Sequence, residues 1–117
     1  NKNYYLLDSR ELEEYEISHL PSAIFVGYNN FSIENLANIP KDAIIVVYCS
    51  VGYRSEIIGE QLLKQGFGNV YNLKGGVFDW VRKGFPVVNS EGKKVLKVHP
   101  YNKSWSKWVK NCDIAYE

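Results

Sequence analysis

Ala43 to Tyr48 is a continuous run of β-branched and aliphatic residues closed by Cys49, and it constrains the fold more than any other stretch. A run with no polar alternation suits a strand buried on both faces, as in a parallel sheet covered by helices. Gly52 breaks the chain directly after it. Arg54 to Gln65 then has helical composition, with Ile58 and Leu62 on one face and Gly66 as a C-terminal stop. The same strand-then-helix order recurs along the chain. Tyr4 to Leu7 reads as a strand running to Asp8, where Asp8 and Glu11 have capping-box spacing for a short helix carrying Leu12 and Tyr15. Ala23 to Val26 reads as a short strand, and Ile33, Leu36 and Ala37 as a brief helix. Val70 to Leu73 is the next strand, followed by a tight turn at Gly75 and Gly76 into a helix bearing Val77, Trp80 and Val81 and ended by Pro86. Strands alternating with helices over short connections predict an α/β fold with a mainly parallel sheet of about five strands.

The 117 residues suffice for one globular domain with its own core, and the 3 Trp, 9 Tyr and 5 Phe supply much of its apolar area. With 14 Lys and Arg against 13 Asp and Glu, the formal charge of +1 gives no field to steer the chain onto phosphate backbones or anionic lipid. No stretch reaches the roughly 18 apolar residues that span a bilayer. The expectation is therefore no nucleic acid and no membrane as partner. Cys49 and Cys112 cannot make a disulfide framework, and with His19 and His99 they offer no zinc spacing, so no metal is expected. The chain starts at Asn1 and holds no Met, which leaves its compartment open.

The segment Cys49-Ser50-Val51-Gly52-Tyr53-Arg54-Ser55 sits where chemistry is most readily built. At the carboxyl end of a parallel strand, side chains project into the crevice where open α/β sheets bind ligands. Gly52 permits a curled loop whose N–H groups can form an anion nest, and the following helix adds positive potential on the same side. A thiol so placed is expected to act as a thiolate nucleophile. The bland alternative is a small buried hydrophobe at a strand end, a common fate for a free Cys; the Gly and the Arg that follow weigh toward function.

These residues resemble the active-site loop of the rhodanese-like superfamily, which starts at a Cys after the central strand and closes on an Arg at the helix start. Leu7-Asp8-Ser9-Arg10 is similar to the family's Asp-x-Arg element, and His19-Leu20-Pro21-Ser22-Ala23 to its Gly-His-Ile-Pro-Gly-Ala element. Leu73-Lys74-Gly75-Gly76, with Trp80, Gly84 and Pro86, resembles its closing element. The resemblance covers residues 4–88 of what reads as a single domain over 1–117. It implies a three-layer α/β/α fold and transfer of sulfane sulfur through a persulfide on Cys49, with Ser50, Val51, Gly52, Tyr53 and Arg54 as the cradle that binds substrate. The partners it implies are a small sulfur donor and a thiol or cyanide acceptor, which a protein could also supply, and the relay needs no cofactor. A non-turnover sulfur carrier or persulfide sensor of the same fold is the alternative. Related phosphatases place one more residue between Cys and Arg, whereas four intervene here, which disfavours phosphate chemistry. Thiosulfate users of the family often carry further basic residues in the loop. Here Ser50, Val51 and Tyr53 stand instead, so thiosulfate is expected to be a poor donor.

Outside the loop, Asp8 and Arg10 read first as a cap and ion pair, and His19 as structural. Residues 89–117 form an extension. Val95 to His99 reads as a strand and Trp105, Trp108, Val109 and Cys112 as one helical stripe, expected to fold back and fill an edge of the sheet. Cys112 is expected to be an inert thiol.

Overall fold

The computed structural model describes residues 4–95, 97–98 and 113–114. β1 (Tyr4–Asp8), β2 (Ile24–Phe25), β3 (Ile44–Tyr48) and β4 (Asn69–Asn72) form one parallel sheet in the order β2-β1-β3-β4. Between them lie α1 (Leu12–Ile17), a 3₁₀ turn at Ile33–Leu36 and α2 (Tyr53–Lys64), and α3 (Gly76–Arg82) follows β4. The fold is α/β as expected, with four strands in its central sheet.

Because successive side chains on a strand point to opposite faces, β1 and β3 feed two separate cores. Leu7, Ile45 and Val47 pack with Leu36, Ile39, Ile58, Leu62 and Phe67 beneath α2 and the 3₁₀ turn. Tyr48, with Leu6 beside it, packs with Leu20, Val77, Phe78, Val81 and Val87 on the face covered by α1 and α3. Helices on both faces of the sheet make three layers. Ile45 and Val47 are fully buried, at about 1.5–3 kcal/mol each by transfer, which is why the unbroken apolar run settles as an interior strand. No helix among the described residues is long and apolar enough to cross a membrane.

The remaining strands lie apart from this sheet. β5 (Val87–Val88) pairs antiparallel with β6 (Lys94–Val95), and β7 (Lys97–Val98) pairs parallel with β8 (Asp113–Ile114). Val88 also exchanges two backbone hydrogen bonds of 2.8 Å with His19. The strand expected at Val95 to His99 thus corresponds to pieces of two small sheets, and among the described residues the tail adds no strand to an edge of the central sheet. The physical reason is the turn before it. Asn89 accepts from the Glu91 and Lys93 amides through Oδ1, at 2.9 and 3.1 Å, and reverses the chain so that Lys94 returns onto Val88. His99 and the stripe of Trp105, Trp108, Val109 and Cys112 lie outside the described residues.

Candidate active site

All four strands of the sheet are parallel, so their carboxyl ends gather on one side and carry Asp8, Tyr48 and Asn72 to a common edge. Cys49 follows Tyr48 there and is 1% exposed. Its Sγ accepts the Gly52 N–H at 3.1 Å, and the Ser55 hydroxyl lies 3.6 Å away. Gly52 makes this closure possible. It caps α2 with φ of +114°, a conformation that side chains resist, and turns the chain so that the first turn of the helix begins under the sulfur. The opening amides of a helix have no acceptor within it, so an anion on the sulfur side meets N–H groups and the positive end of α2.

A second set of bonds holds the loop from outside. Val77 donates to the Cys49 carbonyl at 2.8 Å and Phe78 to the Ser50 carbonyl at 3.1 Å, which docks the start of α3 on the loop backbone. From β4, Asn72 donates through Nδ2 to the Gly52 carbonyl at 3.0 Å and accepts from Ser55 Oγ through Oδ1. Ser55 and Asn72 therefore brace the loop around the Cys49 sulfur; Ser55 closes the segment singled out in the sequence without a role given to it, and Asn72 escapes notice there. Their available signals are position alone, three residues past a loop glycine and at the end of a strand.

Arg54 is not directed at open space. It is 4% exposed and grips the Glu14 carboxylate with both nitrogens, Nη1 to Oε2 at 2.8 Å and Nη2 to Oε1 at 3.0 Å. Ser50 completes the group, accepting from Arg54 Nη2 at 2.9 Å and donating to Glu14 Oε1 at 3.1 Å. Glu14 reaches this place as the third residue of α1, where its Oε2 also accepts the Glu11 N–H at 3.0 Å. The capping box therefore runs from Glu11 to Glu14. The expected Asp8 to Glu11 spacing gives way because Asp8 is taken elsewhere. Burial raises the Glu14 carboxyl, but the hydrogen bonds and charge of Arg54, with the charge of Arg10, outweigh it and hold the group below its ordinary value.

The sign of the resulting pH dependence is fixed. A carboxyl depressed in the folded state contributes stability that is fully present above the unfolded value and is lost as the pH falls through the folded one. Urea midpoints are expected to hold down to about pH 5 and then to fall, with a smaller fall for Glu14→Gln. Identical acid slopes for the two proteins would remove Glu14 as a source.

Asp8 and Arg10 form a second buried pair on the far side of Tyr48, both fully enclosed. Arg10 donates to Asp8 Oδ2 at 2.7 Å and to the Ser18 carbonyl at 2.6 Å, while Tyr48 donates its hydroxyl to Asp8 Oδ2 at 2.6 Å. Burial, followed by the charge of Asp8, drives the Tyr48 hydroxyl well above its ordinary range, so it remains a donor. This is the structural ion pair expected of Asp8 and Arg10. His19 is structural too, its ring stacked on Tyr15 at 3.8 Å and its Nδ1 2.9 Å from the Tyr15 carbonyl oxygen.

The expected cradle residues thus divide by task. Gly52 meets the sulfur of Cys49 through its backbone, Ser50 and Arg54 turn their side chains to Glu14, Val51 packs against the α1/α3 core, and Tyr53 is 66% exposed at the start of α2. Among the described residues no group of three or more His, Cys, Asp and Glu is placed to hold a metal ion.

A sequence profile of the Rhodanese-like domain matches residues 1–83. Over 87 residues the chain is 38% identical to a sulfurtransferase of Allochromatium vinosum, covering 74% of this chain and 80% of that one. It is 41% identical over 88 residues to a tRNA uridine(34) hydroxylase of Buchnera aphidicola, where the match takes in 70% of this chain and 28% of that longer protein. Among solved structures, a rhodanese with anions from E. coli superimposes with a TM-score of 0.63 and 27% identity, over 74% of this chain and 99% of that one.

Proposed function

The chain belongs to the rhodanese-like domain family, and from that premise we propose that it is a sulfurtransferase that carries sulfane sulfur on Cys49 as a persulfide. The observation that supports this most is the sulfur of Cys49 at the carboxyl end of β3, accepting the Gly52 N–H at 3.1 Å at the mouth of α2. In the first step the Cys49 thiolate attacks the outer sulfur of a donor. A Sγ–S bond forms, the donor's S–S bond breaks, and the electron pair leaves on the donor's remaining sulfur. In the second step an acceptor thiolate or cyanide attacks the outer sulfur, the bond to Sγ breaks, and the thiolate returns. No external oxidant is required, and the loop amides offset the negative charge held on the persulfide between the two steps.

The name of the Buchnera relative speaks of a reaction on tRNA, but the match occupies 28% of that protein, and the balanced charge of this chain gives RNA no field to follow. Turnover is the test. Incubation with glutathione persulfide is expected to add about 32 mass units, one sulfur atom, and cyanide to remove it with repeated release of thiocyanate. One equivalent that discharges only to a protein thiol would replace the enzyme by a carrier, and a chain that gains no sulfur from any donor would defeat both.

A further inference from the structure

We propose that Glu14 sets the donor preference of this site by cancelling the charge of Arg54, so that the cradle takes a persulfide or polysulfide whose reacting group is neutral or singly charged ahead of doubly charged thiosulfate. The inference rests on the sulfur-transfer reading above and names its donor class. Arg54 carries the only formal positive charge between Cys49 and Ser55. Its guanidinium meets both oxygens of Glu14 at 2.8 and 3.0 Å, with side-chain exposures of 5% for Arg54 and 4% for Glu14. A fork-to-fork pair in a dry setting is held firmly, and Ser50 bonds to both members. A second buried cation at this end of the sheet, Arg10, is matched in the same way by Asp8 at 2.7 Å, with both side chains wholly buried. Among the described residues, the groups in contact with the sulfur are the Gly52 N–H and the Ser55 hydroxyl, both uncharged, which suits a small charge and not a large one.

The two donors differ in what they demand. Thiolate and thiosulfate bring three negative charges together and return a persulfide anion and a sulfite dianion, again three. Thiolate and a protonated persulfide, R–S–SH, bring one and return one, the proton staying on the transferred sulfur and the electron pair leaving on R–S⁻. With ordinary screening near a protein surface, one uncompensated charge a few ångströms from a dianion changes its affinity by an order of magnitude or more. Paired with Arg54, Glu14 leaves no such charge to attract the dianion.

The experiment compares kcat/KM for thiosulfate with kcat/KM for glutathione persulfide, with mass spectrometry reporting sulfur on Cys49. Glu14→Gln removes the charge and keeps an acceptor for Arg54 and Glu11, and the thiosulfate-to-persulfide ratio is expected to rise by about tenfold. A merely structural Glu14 would lower both efficiencies alike and leave the ratio where it was. Tyr53→Arg, on a ring that is 66% exposed, adds a cation at the start of α2 and is expected to raise the same ratio; a ratio that it leaves unchanged would show a site indifferent to charge and overturn the role of Glu14 even if Glu14→Gln does not fold. Comparable efficiencies for the two donors in the unaltered protein, or an unchanged ratio in the folded variants while Cys49 still loads, would overturn the role of Glu14 and leave sulfur transfer standing. Failure of both donors to load the unaltered protein would remove sulfur transfer itself, and this inference with it.

Discussion

Cys49→Ser is expected to lose all sulfur loading while keeping its fold. Ser is smaller by little at a position that is 1% exposed, and its hydroxyl can still accept the Gly52 N–H that now meets Sγ. It cannot hold a second sulfur. A hydroxyl is also too poor a nucleophile at neutral pH to cleave a donor S–S bond, so turnover should drop by at least about 10⁴-fold. Cys112→Ser should load normally, since neither the strand-end position nor the glycine loop attends it in the sequence. Intact-mass measurement after donor treatment separates the two thiols. A Cys49→Ser protein that still gains one sulfur would move the chemistry to Cys112.

The reach of the sequence can be judged on these same residues. β3 and the Cys49 loop were legible because local forces determine them: an apolar run that only an interior strand satisfies, a glycine where the chain must curl, and a helix stopped at Gly66. The start of α3 at Gly76 was legible from its paired glycines. The partner of Arg54 was not. Glu14 lies forty residues away, and four carboxylates crowd residues 11–16. Only the packing of α1 over the sheet decides which of them turns inward. Capping chemistry held the available hint, because a helix starting one residue after Glu11 puts Glu14 at the third position. Asp8 obscured it by offering the same spacing to Glu11 while being drawn to Arg10 and Tyr48. The tail shows the opposite limit. Its apolar alternation reads as one strand, but the Asn89 turn, a matter of one side chain and two amides, sends β6 onto β5.

Two buried ion pairs flank Tyr48 and Cys49 at the sheet end, and their value lies in geometry more than in stability. The desolvation cost of such pairs commonly offsets their attraction, while removing one partner is expensive. Glu14 and Arg54 tie α1 to the first turn of α2. Asp8, Arg10 and the Tyr48 hydroxyl tie β1 to β3 one residue before Cys49. On the sulfur-transfer reading proposed above, a loop held on both sides needs no binding energy from a donor to shape it.

Among the described glycines the one least able to accept a Cβ is Gly76, and Gly76→Ala is expected to cost more than about 3 kcal/mol, a large share of the roughly 5–15 kcal/mol that holds a domain together. Two effects add. Its φ of +61° places it in the left-handed region, at about 1–2 kcal/mol for a residue with a Cβ. That Cβ would also fall on the carbonyl oxygens of Cys49 and Ser50, which are backbone atoms and cannot swing aside as a side chain can. Relief requires α3 to withdraw, and withdrawal breaks the bonds from Val77 to Cys49 and from Phe78 to Ser50 that seat it on the loop. Gly84→Ala isolates the backbone part. Gly84 has a φ of +88° but no heavy atom within 4 Å of a built Cβ, so only the backbone cost of about 1–2 kcal/mol applies. Urea unfolding of both variants, with the rate of sulfur loading on Cys49, measures the difference. Equal losses at the two glycines, or a Gly76→Ala protein that loads sulfur at the unaltered rate, would mean that the seat of α3 does not shape the loop. A larger loss at Gly76 accompanied by slowed loading ties the family's closing glycine pair to the persulfide cradle through two backbone hydrogen bonds.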